Sequence, residues 1–455
     1  MRKLVAVLLF AAALSARADD SAITKSLAAA IAQTGVPGAA VVAVDKNGVI
    51  YSANFGLRDV EAKLPVTDTT RFYIASATKP FTALTAMLTI DVDAPVETLI
   101  PDLHPPRALT VRDLMTHRLG FENEPAGFRT AYSGEFDTPT LFSLINEKSK
   151  LTPRIFRYDN LGYVITAFAI EKATGESWKD AIAKRVLAPM GMTMTSTHLP
   201  PSDAIVAAPY IFDGAWKRAA PKSERTMHAA GGMFATAADL ARFIRMEMNH
   251  GAGVFPKRVI DETQSPQIHL QRRFSRYDRF AYGLGWFLAD YDGDLLMHHF
   301  GGYRGAQSHM SWMPDRGIGV VVLTNTDGPL AHSFASFVYD SLLKKADAQK
   351  RLDEDVQRFN DAKAKRAAMI AEHLEKALAG EGAGAPLRTK NDGTYVGDYG
   401  TIVVSGNKIA LGEMSSDLVL AKGATYVVHF APDDPTLVTF RDGSLMWDDV
   451  EFKRK

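Results

Sequence analysis

Ser76 and Lys79 stand three residues apart in the run Phe72-Tyr73-Ile74-Ala75-Ser76-Ala77-Thr78-Lys79. On a helix that spacing puts an amine beside the hydroxyl on one face. A serine becomes a nucleophile when such a neighbour takes its proton. Two more Ser-x-x-Lys runs, Ser341 to Lys344 and Ser405 to Lys408, show that the spacing also arises by chance. The first lies in a late amphipathic helix and the second in a predicted hairpin turn. Ser76 instead follows an apolar stretch and opens a helix, where free amides and the dipole favour a developing alkoxide. Read by itself, Ser76 is equally an N-cap serine.

Tyr158-Asp159-Asn160 is the only Tyr-x-Asn in the chain. A tyrosine serves as a base only where cations favour its phenolate, and Lys79 could supply that charge. Asn160 would donate to a substrate or to the surroundings of the lysine; the plain alternative is a loop tyrosine and a capping asparagine before a helix from Leu161 to Lys172. His299-Phe300-Gly301 is the only His-x-Gly and enters a strand with Gly302. The glycines allow a backbone to approach closely, and the Gly302 amide could bind an oxyanion. A half-exposed strand histidine and a bulge are the plain readings. A metal is a poor explanation of His298-His299, because strand neighbours point to opposite faces and no third ligand is near.

These residues are far apart in the chain, so the fold must assemble them. After a helix from Ile23 to Thr34, the β-rich runs 39–44 and 49–51 meet across Asp45-Lys46-Asn47-Gly48, a hairpin. Residues 71–248 are mainly helical, and strands return from Gly283, notably over 317–323. Helices in the middle and sheet at both ends predict an α+β or α/β sandwich whose sheet is closed by both termini. A final helix is expected over 330–343 and an exposed helix over 344–379. Gly380 to Pro386 then reads as a flexible joint, and short β-prone runs with turns from Thr394 to Lys453 predict a small antiparallel all-β domain. The expected divisions are 1–18 leader, 19–345 main domain, 346–386 helical linker and 387–455 β domain.

Composition sets the outer limits. The chain of 455 residues is 46% hydrophobic and 23% charged, which excludes disorder. Its 52 Lys+Arg against 52 Asp+Glu give no field for nucleic acid. Without cysteine there is no disulfide, thiolate metal site or cysteine nucleophile. Arg2-Lys3, the apolar run Leu4 to Leu14 and Ala16-Arg17-Ala18 read as a secretory signal cleaved after Ala18. That run is too short to span a bilayer, so the expectation is an exported protein, periplasmic or secreted, without a membrane span.

Together the three motifs resemble the serine β-lactamase and penicillin-binding-protein superfamily, on the branch of class C β-lactamases, DD-peptidases, D-aminopeptidases and esterases. The resemblance runs from about Ile23 to Leu343 and includes 109–117, Ala230-Gly231-Gly232-Met233 and Tyr282-Gly283-Leu284-Gly285-Trp286. It implies a β-lactamase/transpeptidase-like domain, an antiparallel sheet flanked by helices with a helical subdomain beside it. Ser76 would be acylated, Lys79 and Tyr158 would share proton transfer, and Asn160 would orient substrate. His299 would take the cationic place of the third motif, Gly301 would belong to the same substrate-binding edge, and the amides of Ser76 and Gly302 would bind the oxyanion. No cofactor or metal is implied, and the partner is a small-molecule or peptide substrate.

Phe300 replaces the hydroxyl residue that helps relatives hold a substrate carboxylate, which tilts the reading from β-lactamase or DD-carboxypeptidase towards small esters and D-amino-acid amides or peptides. Asp159, beside the catalytic group, is expected to point outward. The segment between Lys79 and Pro101 is shorter than in relatives. A catalytically inactive ligand-binding or sensor protein is therefore the reading from another class.

Overall fold

The computed structural model describes residues 18–378, 391–431 and 433–455. Apart from Ala18, the leader lies outside the described residues, as does the glycine-rich joint. The apolar run 39–44 forms the strand Gly38–Asp45, buried along nearly its whole length. Residues of one parity, including Val42 and Val44, join a core with the helix Ala237–Met248. Those of the other parity, including Val41, join a second core with the helices Ala18–Thr34 and Leu330–Leu342. A continuous apolar strand is what two covered faces require.

Gly38–Asp45 pairs antiparallel with Ile318–Thr324 on one side, Val41 opposite Val322, and with Val49–Asp59 on the other. Strands from near residue 40 and near residue 320 thus meet in one sheet of nine strands. Its far edge runs through Ala306–Met313, Asp294–Tyr303, Phe287–Tyr291 and Tyr277–Tyr282 to Ile268–Phe274. A helical lobe with its own core includes Val111–Met115, Thr138–Lys148 and Leu161–Thr174. The site lies where this lobe meets the sheet.

The helix Ala348–Ala377 corrects the expectation of an exposed linker. Leu352, Val356 and Phe359 form a buried stripe against the second core, with solvated charges around the rest of the helix. Beyond the joint, nine short antiparallel strands between Gly393 and Arg454 enclose a core of Tyr395, Ile402, Leu411, Val428, Val438 and Phe452. Phe128 and Tyr132 of the helical lobe pack against that core. Arg129 donates from Nε to the carbonyl of Asp398 at 2.6 Å and from Nη2 to that of Gly397 at 2.9 Å.

Candidate active site

Ser76 lies on the 3₁₀ turn Ala75–Thr78, which runs directly into the helix Lys79–Thr89. Ala75 holds φ at 46°, a left-handed conformation that costs a non-glycine residue about 1–2 kcal/mol. The turn is held by Ile74, whose N–H donates to Met233 O at 3.0 Å and whose carbonyl accepts from Ser308 Oγ at 2.6 Å. At the first turn of a helix the amides lack intrahelical partners, so the Ser76 N–H is available. Despite the short segment that follows, the helix runs eleven residues and the site closes.

Lys79 is 0% exposed. Its Nζ makes three contacts, with Asn160 Oδ1 at 2.7 Å, Ala230 O at 3.0 Å and Ser76 Oγ at 3.1 Å. Burial holds the amine well below the ordinary lysine range, opposed by the Asp159 carboxylate. A neutral amine has two hydrogens and one lone pair. The two carbonyl oxygens can only accept, so they take the hydrogens and leave the lone pair for the Ser76 hydroxyl. That is the arrangement of a general base.

Tyr158 lies beneath Nζ, its ring centre 4.7 Å away. Burial pushes its phenol up, with Ser76 pulling it down, so the hydroxyl stays protonated at rest and is a proton donor. Its oxygen is buried and makes no full hydrogen bond among the described residues. His117 flanks the ring at 4.4 Å between centroids and accepts the Asp159 N–H at 3.1 Å. Asn160 precedes the helix Leu161–Thr174 without capping it through its side chain. Asp159 does that work and does not point outward as expected: its carboxylate turns back onto the Leu161 N–H. Capping supplies a physical reason for a carboxylate at this position.

The third motif lies on the strand Asp294–Tyr303. His299 is fully buried. Its Nδ1 lies 2.8 Å from the Phe300 carbonyl, which can only accept, so Nδ1 carries the hydrogen. Nε2 lies 3.3 Å from the Tyr282 hydroxyl. Burial, with Lys79 nearby, pushes the ring well below the ordinary histidine range. Burial thus works against the cationic role that the resemblance implies for His299. Phe300 packs against Phe274 at 4.9 Å and His332 at 5.3 Å between centroids.

Gly301 is where the strand meets the nucleophile. A Cβ there would lie 1.9 Å from Ile74 O and 2.9 Å from Ser76 N. Tyr303 pairs with Ala306 across the two-residue turn Arg304-Gly305, and Gly302 with Gln307. The pair closing such a turn exchanges hydrogen bonds, so the next residue, Gly302, directs its N–H away from that neighbour. On the other side the pairing with Phe287–Tyr291 ends at His298. The Gly302 amide thus faces open space near the Ser76 amide.

A cavity of about 540 Å³ adjoins Tyr158 and Asn160 and is walled by Phe121, Glu122, Phe128 and Tyr132. Tyr132 and Tyr303 face one another with centroids 6.4 Å apart. Trp312 is core, edge-on to Trp286 at 4.7 Å. One contributor that motif reading missed is Glu413, from the β domain. It accepts from the Tyr303 hydroxyl at 3.1 Å and Ser223 N–H at 2.5 Å, and pairs with Lys222 at 3.5 Å. Burial brings Lys222 down to about 8 against the pull of Glu413. Among the described residues no helix is long and apolar enough to cross a membrane.

An antiparallel sheet, a helical lobe beside it and a Ser–Lys–Tyr–Asn group at their junction define a serine hydrolase of the β-lactamase-related group. The chain belongs to the Beta-lactamase family, whose profile matches residues 20–343. It is 28% identical to penicillin-binding protein 4 of Amycolatopsis lactamdurans over 68% of this chain and 85% of that one. With an unguisins hydrolase of Aspergillus campestris it shares 25% identity over 71% of this chain and 66% of that one. The octameric penicillin-binding protein homologue of Pyrococcus abyssi has the same fold, at a TM-score of 0.63 and 23% identity over 95% of this chain and 99% of that one.

Proposed function

We propose that the protein is an exported serine hydrolase that forms an acyl-enzyme on Ser76 and cleaves small esters, or amides and peptides carrying a D-amino acid. The observation that carries this reading is the desolvated Lys79 amine 3.1 Å from Ser76 Oγ, with its other contacts to oxygens that only accept. As Oγ attacks the carbonyl carbon, its proton passes to Lys79 Nζ. The amides of Ser76 and Gly302 take the developing oxyanion. Tyr158 relays the proton to the leaving group, and Asn160 holds both the lysine and the acyl chain. Water then attacks the ester, and its proton returns by the same route to Ser76. The steps use no metal or cofactor.

Substrate preference follows from charge. A β-lactam or a peptide ending in a free carboxylate calls for a cation and a hydroxyl on the third motif. Here burial disfavours the charged form of His299, and Phe300 brings no hydroxyl. The test is turnover by the mature protein and Ser76→Ala on a short-chain nitrophenyl ester, a D-alanine anilide and a chromogenic cephalosporin. The ester or anilide should exceed the cephalosporin by about tenfold or more in kcat/KM, roughly the discrimination of one lost polar contact. Ser76→Ala should turn over none. Cephalosporin as the best substrate would overturn the preference, and an active Ser76→Ala the mechanism. The intact mass of the exported protein reads whether it begins at Asp19.

A further inference from the structure

Arg279, on the strand Tyr277–Tyr282, is 3% exposed and forms no ion pair with any carboxylate among the described residues. Its guanidinium is held between two rings, 3.6 Å from the centre of Phe274 and 3.7 Å from that of Phe287, with Phe300 at 5.1 Å. Nε donates to His298 Nε2 at 3.1 Å, and Nη2 has no partner. An isolated buried cation is costly, and two ring faces offset only part of that cost. Phe287, which covers Arg279 on one side, is also stacked on Tyr158 at 6.2 Å and 18° and lies 5.6 Å from His299. The charge is thus separated from the catalytic group by a single aromatic layer.

The groups around Arg279 are neutral on almost every side. Its own strand offers the phenols Tyr277 and Tyr282, and the adjoining strand offers Arg272. His298 and His299 face it from the third-motif strand, with His309 and His332 behind. Burial and Arg279 together bring His309 down to about 3. Across the site, Tyr158 is faced by Ser76, Lys79, His117, Asp159 and Tyr282.

We propose that Arg279 is the fixed positive charge of this active site, a positioning residue that acts through the Phe287 layer to favour negative charge at Tyr158 and the oxyanion. Sealed between rings, it cannot reach a substrate carboxylate, so it serves the transition state without conferring carboxylate specificity. Burial keeps even the guanidinium down at about 10, and Arg279 pulls the Tyr158 phenol down against burial.

This inference rests on Ser76 as nucleophile, and the experiment separates the two. The pH dependence of kcat/KM on a nitrophenyl ester is measured for the wild type, Arg279→Met, Arg279→Lys and Ser76→Ala, with melting temperatures alongside. Loss of the positive charge raises the pKa of Tyr158 and His299, and by the general effect of removing a nearby like charge it also favours protonation of the Lys79 base. The ascending limb should therefore move up by about one pH unit in Arg279→Met, an ordinary shift for a nearby charge. Arg279→Lys should keep the limb in place. A merely structural role would lower the rate without moving the limb. If Arg279→Met does not fold, Arg279→Gln is read in its place. An unmoved limb in the neutral variant, or an equal shift in Arg279→Lys, overturns the proposal while Ser76→Ala remains dead. Activity retained by Ser76→Ala overturns both.

Discussion

Replacing Lys79 by methionine is expected to lower kcat/KM on a nitrophenyl ester by about 10³-fold or more, the upper range for loss of a positioned general base. The side chain has no counter-ion within bonding distance, and its three contacts are one hydroxyl and two carbonyl oxygens. Tyr158 is held protonated by burial, which leaves Lys79, 3.1 Å from Ser76 Oγ, as the group placed to take the Ser76 proton. Methionine keeps most of the volume and removes a desolvated amine, although it leaves the Asn160 oxygen and the Ala230 carbonyl short of a donor. Fold should therefore survive while function is lost, as at sites where activity is kept at a cost in stability. Steady-state kinetics with thermal unfolding of the same preparation read both. A Lys79→Met variant within tenfold of the wild type would remove the lysine from the mechanism.

Gly301→Ala should be nearly as damaging for a different reason. The added Cβ would meet Ile74 O at 1.9 Å, Ser308 Oγ at 2.6 Å and Ser76 N at 2.9 Å. Two of these are backbone of the nucleophile's own turn, which cannot swing aside as a side chain can. The strand and the turn must separate, and a misplacement of about 1 Å at a reacting group costs about 10²-fold in rate. Overpacking should add about 1–3 kcal/mol of destabilisation. Gly302→Ala is the control, since a Cβ there meets nothing within 4 Å and the amide is retained. Kinetics and melting of the two variants side by side check the contrast. Equal effects would mean that the close approach at Gly301 has no catalytic consequence.

The features legible in sequence were those written in local pattern. The apolar runs 39–44 and 317–323 identify the central strands because two-sided burial needs no polar alternation, and the sheet pairs them as register partners. Ser76, Lys79, Tyr158, Asn160, His299 and Gly301 were found by type and spacing, and the fold brings them together. What stayed hidden depends on burial. Arg279 follows Arg272, Arg273 and Arg276 and reads as one more solvated charge until the rings of Phe274 and Phe287 close over it. The ionisation of His299 is likewise biased by burial and by Lys79, neither visible in a motif. Leu352, Val356 and Phe359 have helical spacing, but the charges between them masked a packed stripe. Glu413 reaches Tyr303 across more than a hundred residues, a pairing that no local pattern encodes.

The most direct measurement is the intact mass of the protein quenched during reaction with a slowly hydrolysed nitrophenyl ester, followed by peptide mapping of any adduct. The account predicts one acyl group, carried on the peptide that contains Ser76, absent from Ser76→Ala and formed much more slowly by Lys79→Met. Turnover without an adduct, or an adduct that persists in Ser76→Ala, would contradict it.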